Sequence, residues 1–192
     1  MVPLLEAAGH TAVAADLPTD EPEAGWEAYA AAFGLDGAGD VIVVAHSLGG
    51  LAAPAVAAGL DARLIVLVSA MIALPGETGS GWWASSGFDE AVHADFDDEH
   101  ALYFHDVDPA LAAESAEHGR DVTAEAMALP VAPWPDVPVR ALAFAEDRLF
   151  PPDFQRGLAR ERLGVELELV PGGHYGAISR PAELADKLLS LA

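Results

Sequence analysis

Short runs of aliphatic and β-branched residues alternate along the chain with longer stretches whose apolar positions recur at helical spacing. The runs predict five strands, at 11–15 (Thr-Ala-Val-Ala-Ala), 41–45 (Val-Ile-Val-Val-Ala), 63–69 (Arg-Leu-Ile-Val-Leu-Val-Ser), 139–144 (Val-Arg-Ala-Leu-Ala-Phe) and 165–170 (Val-Glu-Leu-Glu-Leu-Val). The second and third are almost uninterrupted apolar runs, the pattern of strands covered on both faces, and are expected at the centre of the sheet. Helices are predicted at about 24–33, 48–58, 153–162 and 181–190, the last opening with Pro181 in its first turn after Ser179 and Arg180. Strand and helix in alternation predict an α/β fold, a mostly parallel sheet with helices on both faces.

The stretch 71–138 breaks this rhythm. It holds a Gly/Ser-rich segment from Gly76 to Gly87, expected as a loop, then an acidic helical portion, then a turn built from Pro130, Pro133, Trp134, Pro135 and Pro138. The expected organisation is therefore a core made of 1–70 and 139–192 with 71–138 inserted as a cap. No internal repeat is present at the usual periods. A chain of 192 residues fits one domain, and at this length roughly 70% of the unfolded surface can be buried.

Composition narrows the chemistry. Cysteine is absent, so disulfides, a thiolate nucleophile and a thiolate metal site are excluded, and any nucleophile is an oxygen or a nitrogen. With 31 acidic residues against nine basic ones the formal charge is -22, which repels a nucleic-acid backbone or an anionic membrane. Neither is an expected partner; a small molecule is. Apolar residues reach 52%, yet no unbroken apolar stretch approaches the ~18 residues of a membrane span. The first residues lack a secretory signal, so the cytoplasm is the expected compartment.

The most informative segment is Val44-Ala45-His46-Ser47-Leu48-Gly49-Gly50, directly after an apolar strand and before a helical run. A strand, tight turn and helix of this kind raises the central serine above the sheet edge in a strained conformation, which requires small residues two positions to either side. Ala45 and Gly49 occupy those positions. A serine hydroxyl needs a base to take its proton, and the base needs an acid to hold its tautomer. Glu146 and Asp147 follow the strand at 139–144, and Pro171-Gly172-Gly173-His174-Tyr175 follows the last one. Both lie at C-terminal ends of strands, where open α/β sheets form their ligand sites.

The order Ser, Asp, His and the elbow resemble the α/β-hydrolase family. The likeness runs the length of the chain, from Val2-Pro3-Leu4-Leu5-Glu6-Ala7-Ala8-Gly9-His10 and Ala14-Ala15-Asp16-Leu17-Pro18 to the C-terminal helix. The segment Tyr103-Phe104-His105-Asp106-Val107-Asp108-Pro109 is similar to bacterial relatives of plant methyl-ester esterases and hydroxynitrile lyases. The resemblance implies Ser47 as nucleophile, His174 as general base and Asp147, preferred over Glu146, as the acid. It implies the Leu48 backbone N–H as one oxyanion donor. The early strand and His-Gly loop that supply the family's second donor have no counterpart in this sequence. Two expectations follow, an upstream segment before Met1 or a short form with impaired catalysis, and the first is favoured because a lost central strand leaves backbone groups unpaired.

For substrate contact the candidates are His46, Met71, Trp82, Phe104 and Trp134, with Trp83 beside them and His46 favoured as a packing residue. The string His93, Asp95, Asp97, Asp98, His100, His105, Asp106 fits no metal-ligand spacing and reads as an acidic solvated face. The expected activity is hydrolysis of a small ester or related acyl compound through an acyl-enzyme, without metal or organic cofactor. A lyase of the same fold and a non-catalytic ligand-binding protein are the alternatives.

Overall fold

The computed structural model describes residues 1–35, 37–88 and 96–192. At its centre lies β2, Leu64–Val68, whose five residues are all buried. It pairs in parallel with β1, Ile42–His46, on one side and with β3, Val139–Phe144, on the other, and β4, Leu167–Val170, completes the order β1-β2-β3-β4. The register lines up Ala45, Leu67, Ala141 and Leu167 across one face. Because side chains alternate along a strand, the next row, led by Val68 and Leu142, faces the opposite way.

Each face has its own helices. Tyr29 of α2 (Trp26–Ala31), Ala53, Val56 and Ala57 of α3 (Ala53–Gly59) and Leu158 and Ala159 of α8 (Pro152–Leu163) join Ala45, Ile65 and Leu67 in one apolar cluster. Leu184 and Leu188 of α10 (Pro181–Leu189) join Leu64, Val66, Val68, Leu142 and Phe144 in the other. Met1 and Leu5, the latter in α1 (Val2–Ala7), pack at its margin. Pro181 opens α10, where its missing N–H costs nothing, and α8 ends at Gly164 in the left-handed conformation.

Two expectations are corrected. Residues 11–15 form no strand, and β1 is an edge strand instead of a central one. β-propensity measures how well side chains fit a pleated surface, whereas a strand also requires a neighbour with which to exchange hydrogen bonds. This segment is rich in alanine, and its one large apolar residue, Val13, is 42% exposed, so little burial is available to hold it on the sheet. On β1 itself Val44 is 45% exposed.

The long excursion between β2 and β3 also departs from its expected loop. Gly79–Ser85 is a helix, α4, followed by α5 (Glu99–Tyr103), α6 (Pro109–Glu117) and α7 (Ala124–Ala128). Such short helices are marginal alone. Each is N-capped: Thr78, Asp98, Asp108 and Thr123 accept hydrogen bonds from the backbone N–H of Gly81, Ala101, Ala110 and Ala126. Met71, Ile72, Trp82, Phe88, Leu102 and Val131 belong to the same apolar cluster as the sheet, and a nearly buried ion pair ties Glu77 to Arg162 of α8 at 2.6 Å. Among the described residues no helix is long and apolar enough to cross a membrane.

Candidate active site

Parallel pairing puts the C-terminal ends of β1, β3 and β4 at one sheet edge, and the turn after each delivers one polar side chain. After β1 the chain passes through Ser47, whose φ is 51°, into a 3-10 turn, Ser47–Leu51. A positive φ is costly for a residue with a Cβ and marks stored strain. A Cβ at Gly49 would lie 4.0 Å from the Ala45 methyl, which is ordinary contact. Gly50 is the tight position: a Cβ there would overlap the carbonyl of Met71, whose N–H donates to Ser47 O at 2.9 Å. Gly50 lies outside the two positions that the elbow pattern singles out, because its obstruction comes from another strand's end.

The Ser47 hydroxyl donates to His174 Nε2 at 2.9 Å, and His174 Nδ1–H donates to Asp147 Oδ2 at 2.9 Å. The side chains of His174 and Asp147 are 1% and 0% exposed. The other oxygen of Asp147, Oδ1, accepts from the backbone N–H of Leu149 and Phe150, both at 2.9 Å. A buried carboxyl group with that many donors is fixed in place, and can hold an imidazole in the Nδ1–H tautomer that leaves Nε2 free to accept a proton. Glu146, the competing acid, turns away and accepts from Gly172 N–H at 2.6 Å.

Four aromatic rings wall the His174 imidazole: His46 at 4.8 Å and Tyr103, Phe150 and Tyr175 each at 5.5 Å. His46 Nε2–H donates to the His174 carbonyl at 2.8 Å. Burial, with His174 beside it, lowers the His46 pKa to about 3, so its ring is neutral. Burial pushes the Tyr103 hydroxyl pKa up, with further contributions from Tyr175, Glu99 and Asp147, and burial followed by Glu99 does the same for Tyr175. The roles of both tyrosines went unnoticed in the sequence, although one adjoins His174 and the other opens the segment 103–109.

The remaining candidates are dispersed. Met71 and Trp82 are fully buried, and the Trp82 indole donates to Ile72 O at 3.0 Å. Phe104 stacks near Tyr175 at 4.7 Å, and Trp134 donates to Ala73 O at 3.0 Å. A pocket of about 160 Å³ opens beside Leu48 and Gly49 instead, lined also by Leu17, Trp26, Tyr29, Val122, Ala126 and Met127. Of the acidic string, His93 and Asp95 lie outside the described residues. Asp98 caps α5, while His105 and Asp106 are turned inward, not solvated as expected: His105 Nε2–H donates to Glu146 O at 3.0 Å and Asp106 Oδ2 accepts from Gly173 N–H at 2.7 Å.

The model of the family described as "Alpha/beta hydrolase family" matches residues 1–187. Among solved structures, a mutant of polyneuridine aldehyde esterase superposes with a TM-score of 0.78 at 19% identity, covering 100% of this chain and 91% of that one. A pyrethroid hydrolase from Sphingobium faniae JZ-2 gives 0.70 at 22% identity, covering 99% and 89%. A variant of tomato methylketone synthase I complexed with beta-ketoheptanoate gives 0.74 at 17%, with the same coverage of 99% and 89%. At these identities the likeness is one of fold. No curated protein matches the chain by sequence.

Proposed function

The chain belongs to the alpha/beta hydrolase family, a hydrolase by that membership, and on this footing we propose that it cleaves a small carboxylic ester by acyl transfer through Ser47, His174 and Asp147. The observation that carries the reading is the hydrogen-bonded line from Ser47 Oγ through His174 to a buried Asp147.

In this mechanism His174 Nε2 takes the Ser47 proton as Oγ attacks the ester carbonyl carbon, and the carbonyl oxygen becomes an oxyanion. The backbone N–H of Leu48 is directed at that charge, because the first N–H groups of a helical turn have no partner within it. Collapse of the tetrahedral species breaks the C–O bond, and His174 returns the proton to the departing alkoxide. Water then attacks the acyl-Ser47 carbonyl with His174 again as base, releasing the carboxylic acid and restoring the hydroxyl. Asp147 keeps the imidazole oriented and stabilises its protonated form. The apolar pocket beside Leu48 and Gly49 suits a short hydrocarbon group of the substrate.

The test is hydrolysis of p-nitrophenyl acetate and butyrate by the wild-type chain and by Ser47→Ala. Turnover that the substitution abolishes supports the reading. Turnover that survives it, or none in either protein under conditions where both are folded, overturns it.

A further inference from the structure

The turn that carries His174 is held from outside its own strand. The Gly172 N–H is accepted by Glu146 Oε2 at 2.6 Å, the Gly173 N–H by Asp106 Oδ2 at 2.7 Å, and the His174 carbonyl by His46 Nε2–H at 2.8 Å. Two of these three anchors come from the sheet edge. Asp106 alone comes from the excursion between β2 and β3, more than sixty residues away in sequence.

Asp106 is built for this position. The same Oδ2 accepts from Ser179 Oγ at 2.6 Å, so one oxygen joins the residue before His174 to α9, Gly176–Ser179, just after it. A Cβ at Gly173 would come within 2.5 Å of both Asp106 Oδ1 and His105 Nε2, and one at Gly176 would overlap the Phe144 ring. The turn is thus wedged between the sheet and the His105-Asp106 pair. Burial raises the Asp106 carboxyl pKa, but the donors Ser179 and Gly173 outweigh it and hold the carboxyl below its usual range. Asp106 Oδ1 is buried without a partner, the one such side-chain atom among the described residues. A buried charge with one oxygen left unsatisfied is costly to keep, which argues for a function at the other oxygen.

We propose that Asp106 is a positioning residue for the general base: by clamping Gly173 and Ser179 it fixes the His174 imidazole on the line between Ser47 and Asp147, and so couples the seating of the excursion to the competence of the base. The inference rests on the acyl-transfer reading above for its kinetic consequence, and on geometry alone for its structural one. A displacement of the base by about 1 Å can cost about 10²-fold in rate.

The test compares wild type, Asp106→Ala, Asp106→Asn and Ser179→Ala by two readouts. The first is kcat and KM for p-nitrophenyl acetate, corrected for the fraction of folded protein. Asp106→Ala is expected to lose about 10- to 100-fold in kcat with KM within about twofold, and Asp106→Asn, which keeps an acceptor oxygen, to recover most of it. Ser179→Ala is expected to lie between. The second readout is the downfield proton NMR signal of His174 Nδ1–H bonded to Asp147, which needs no turnover. It is expected sharp in wild type and Asp106→Asn and broadened or absent in folded Asp106→Ala. An unchanged signal and unchanged kcat in Asp106→Ala overturn the proposal, as does a loss of kcat fully accounted for by unfolded protein. If wild type lacks serine-dependent turnover, the acyl-transfer reading fails while the NMR comparison still decides the role of Asp106.

Discussion

His46 Nε2–H reaches across from the end of β1 to donate to the main-chain oxygen of His174 at 2.8 Å. The residue next to the serine therefore holds the backbone of the histidine that the serine faces. The bond requires only a proton on Nε2, and since burial lowers the His46 pKa to about 3 the donor is the neutral ring in its Nε2–H tautomer. The first prediction follows from this depressed value. Between about pH 6.5, the unfolded pKa of histidine, and about 3, the unfolded state binds a proton that the folded state refuses, so stability rises with pH over that window and is complete above it. The His46 contribution alone amounts to about 2 kcal/mol between pH 7 and 5. His46→Gln should flatten that part of the dependence, read from urea unfolding midpoints of both proteins at the two pH values.

Asp147 and Glu146 are neighbours with different partners, His174 Nδ1 and Gly172 N–H. Asp147→Asn is expected to lower kcat by about 10⁴-fold, because an amide that accepts from Leu149 and Phe150 presents its NH₂ to Nδ1 and selects the wrong imidazole tautomer. Glu146→Gln keeps an acceptor for Gly172 and should stay within about tenfold of wild type. Equal losses in the two variants would argue against the assignment of the acid.

Gly49 and Gly50 separate the needs of the elbow. Gly49→Ala places a methyl 4.0 Å from Ala45 and should change stability by less than about 1 kcal/mol. Gly50→Ala drives a methyl into the Met71 backbone, and since backbone cannot rotate away the cost should reach about 1–3 kcal/mol, with any p-nitrophenyl acetate turnover falling as Ser47 shifts. Thermal unfolding of the two variants side by side checks the contrast.

The Glu77–Arg162 pair fastens the excursion to α8. Arg162 is 5% exposed and Glu77 11%, and Glu77 also accepts from Leu74 N–H at 3.0 Å and from Ser85. Although burial opposes it, these bonds and Arg162 hold the Glu77 carboxyl below its usual pKa. Its stabilising effect is present above the unfolded carboxyl pKa of about 4.3 and disappears as pH falls below that value. At neutral pH Glu77→Gln removes the counter-charge of a nearly buried guanidinium, which keeps Ile72 O and Ser85 Oγ as acceptors, and should destabilise by about 1–3 kcal/mol, whereas replacing both partners with apolar residues should cost less. Denaturant melts of the single and double variants distinguish these outcomes.

The pocket beside Leu48 predicts a chain-length preference. Ala126→Trp, which adds bulk to the lining that Ala126 shares with Met127 and Tyr29, should lower kcat/KM for p-nitrophenyl butyrate at least about tenfold more than for the acetate, since each methylene excluded from an apolar site is worth about 1 kcal/mol or more. Parallel losses on both esters would place the substrate's hydrocarbon elsewhere.

The features legible in the sequence are those that neighbouring residues decide. The Leu64 to Val68 run specifies a strand covered on both faces, Ala45 to Gly49 specifies a tight turn after such a strand, and glycines before His174 specify a loop free to place it. The order of these segments brings three side chains to one edge once parallel pairing is granted. Other features depend on contacts that no local window contains. Residues 11–15 carry an extended-looking pattern but gain no ladder partner, and β1 lies at an edge. Trp82, in a Gly/Ser-rich segment, is buried on a capped helix, because a large indole gains more by leaving water than the glycines lose in conformational freedom. Asp106 looked like one more acid on a solvated face, and only the fold carries it to the His174 turn. Local sequence determines which segments can extend, turn or coil; which polar group meets which is settled when desolvation forces each buried donor and acceptor to find its partner across the chain.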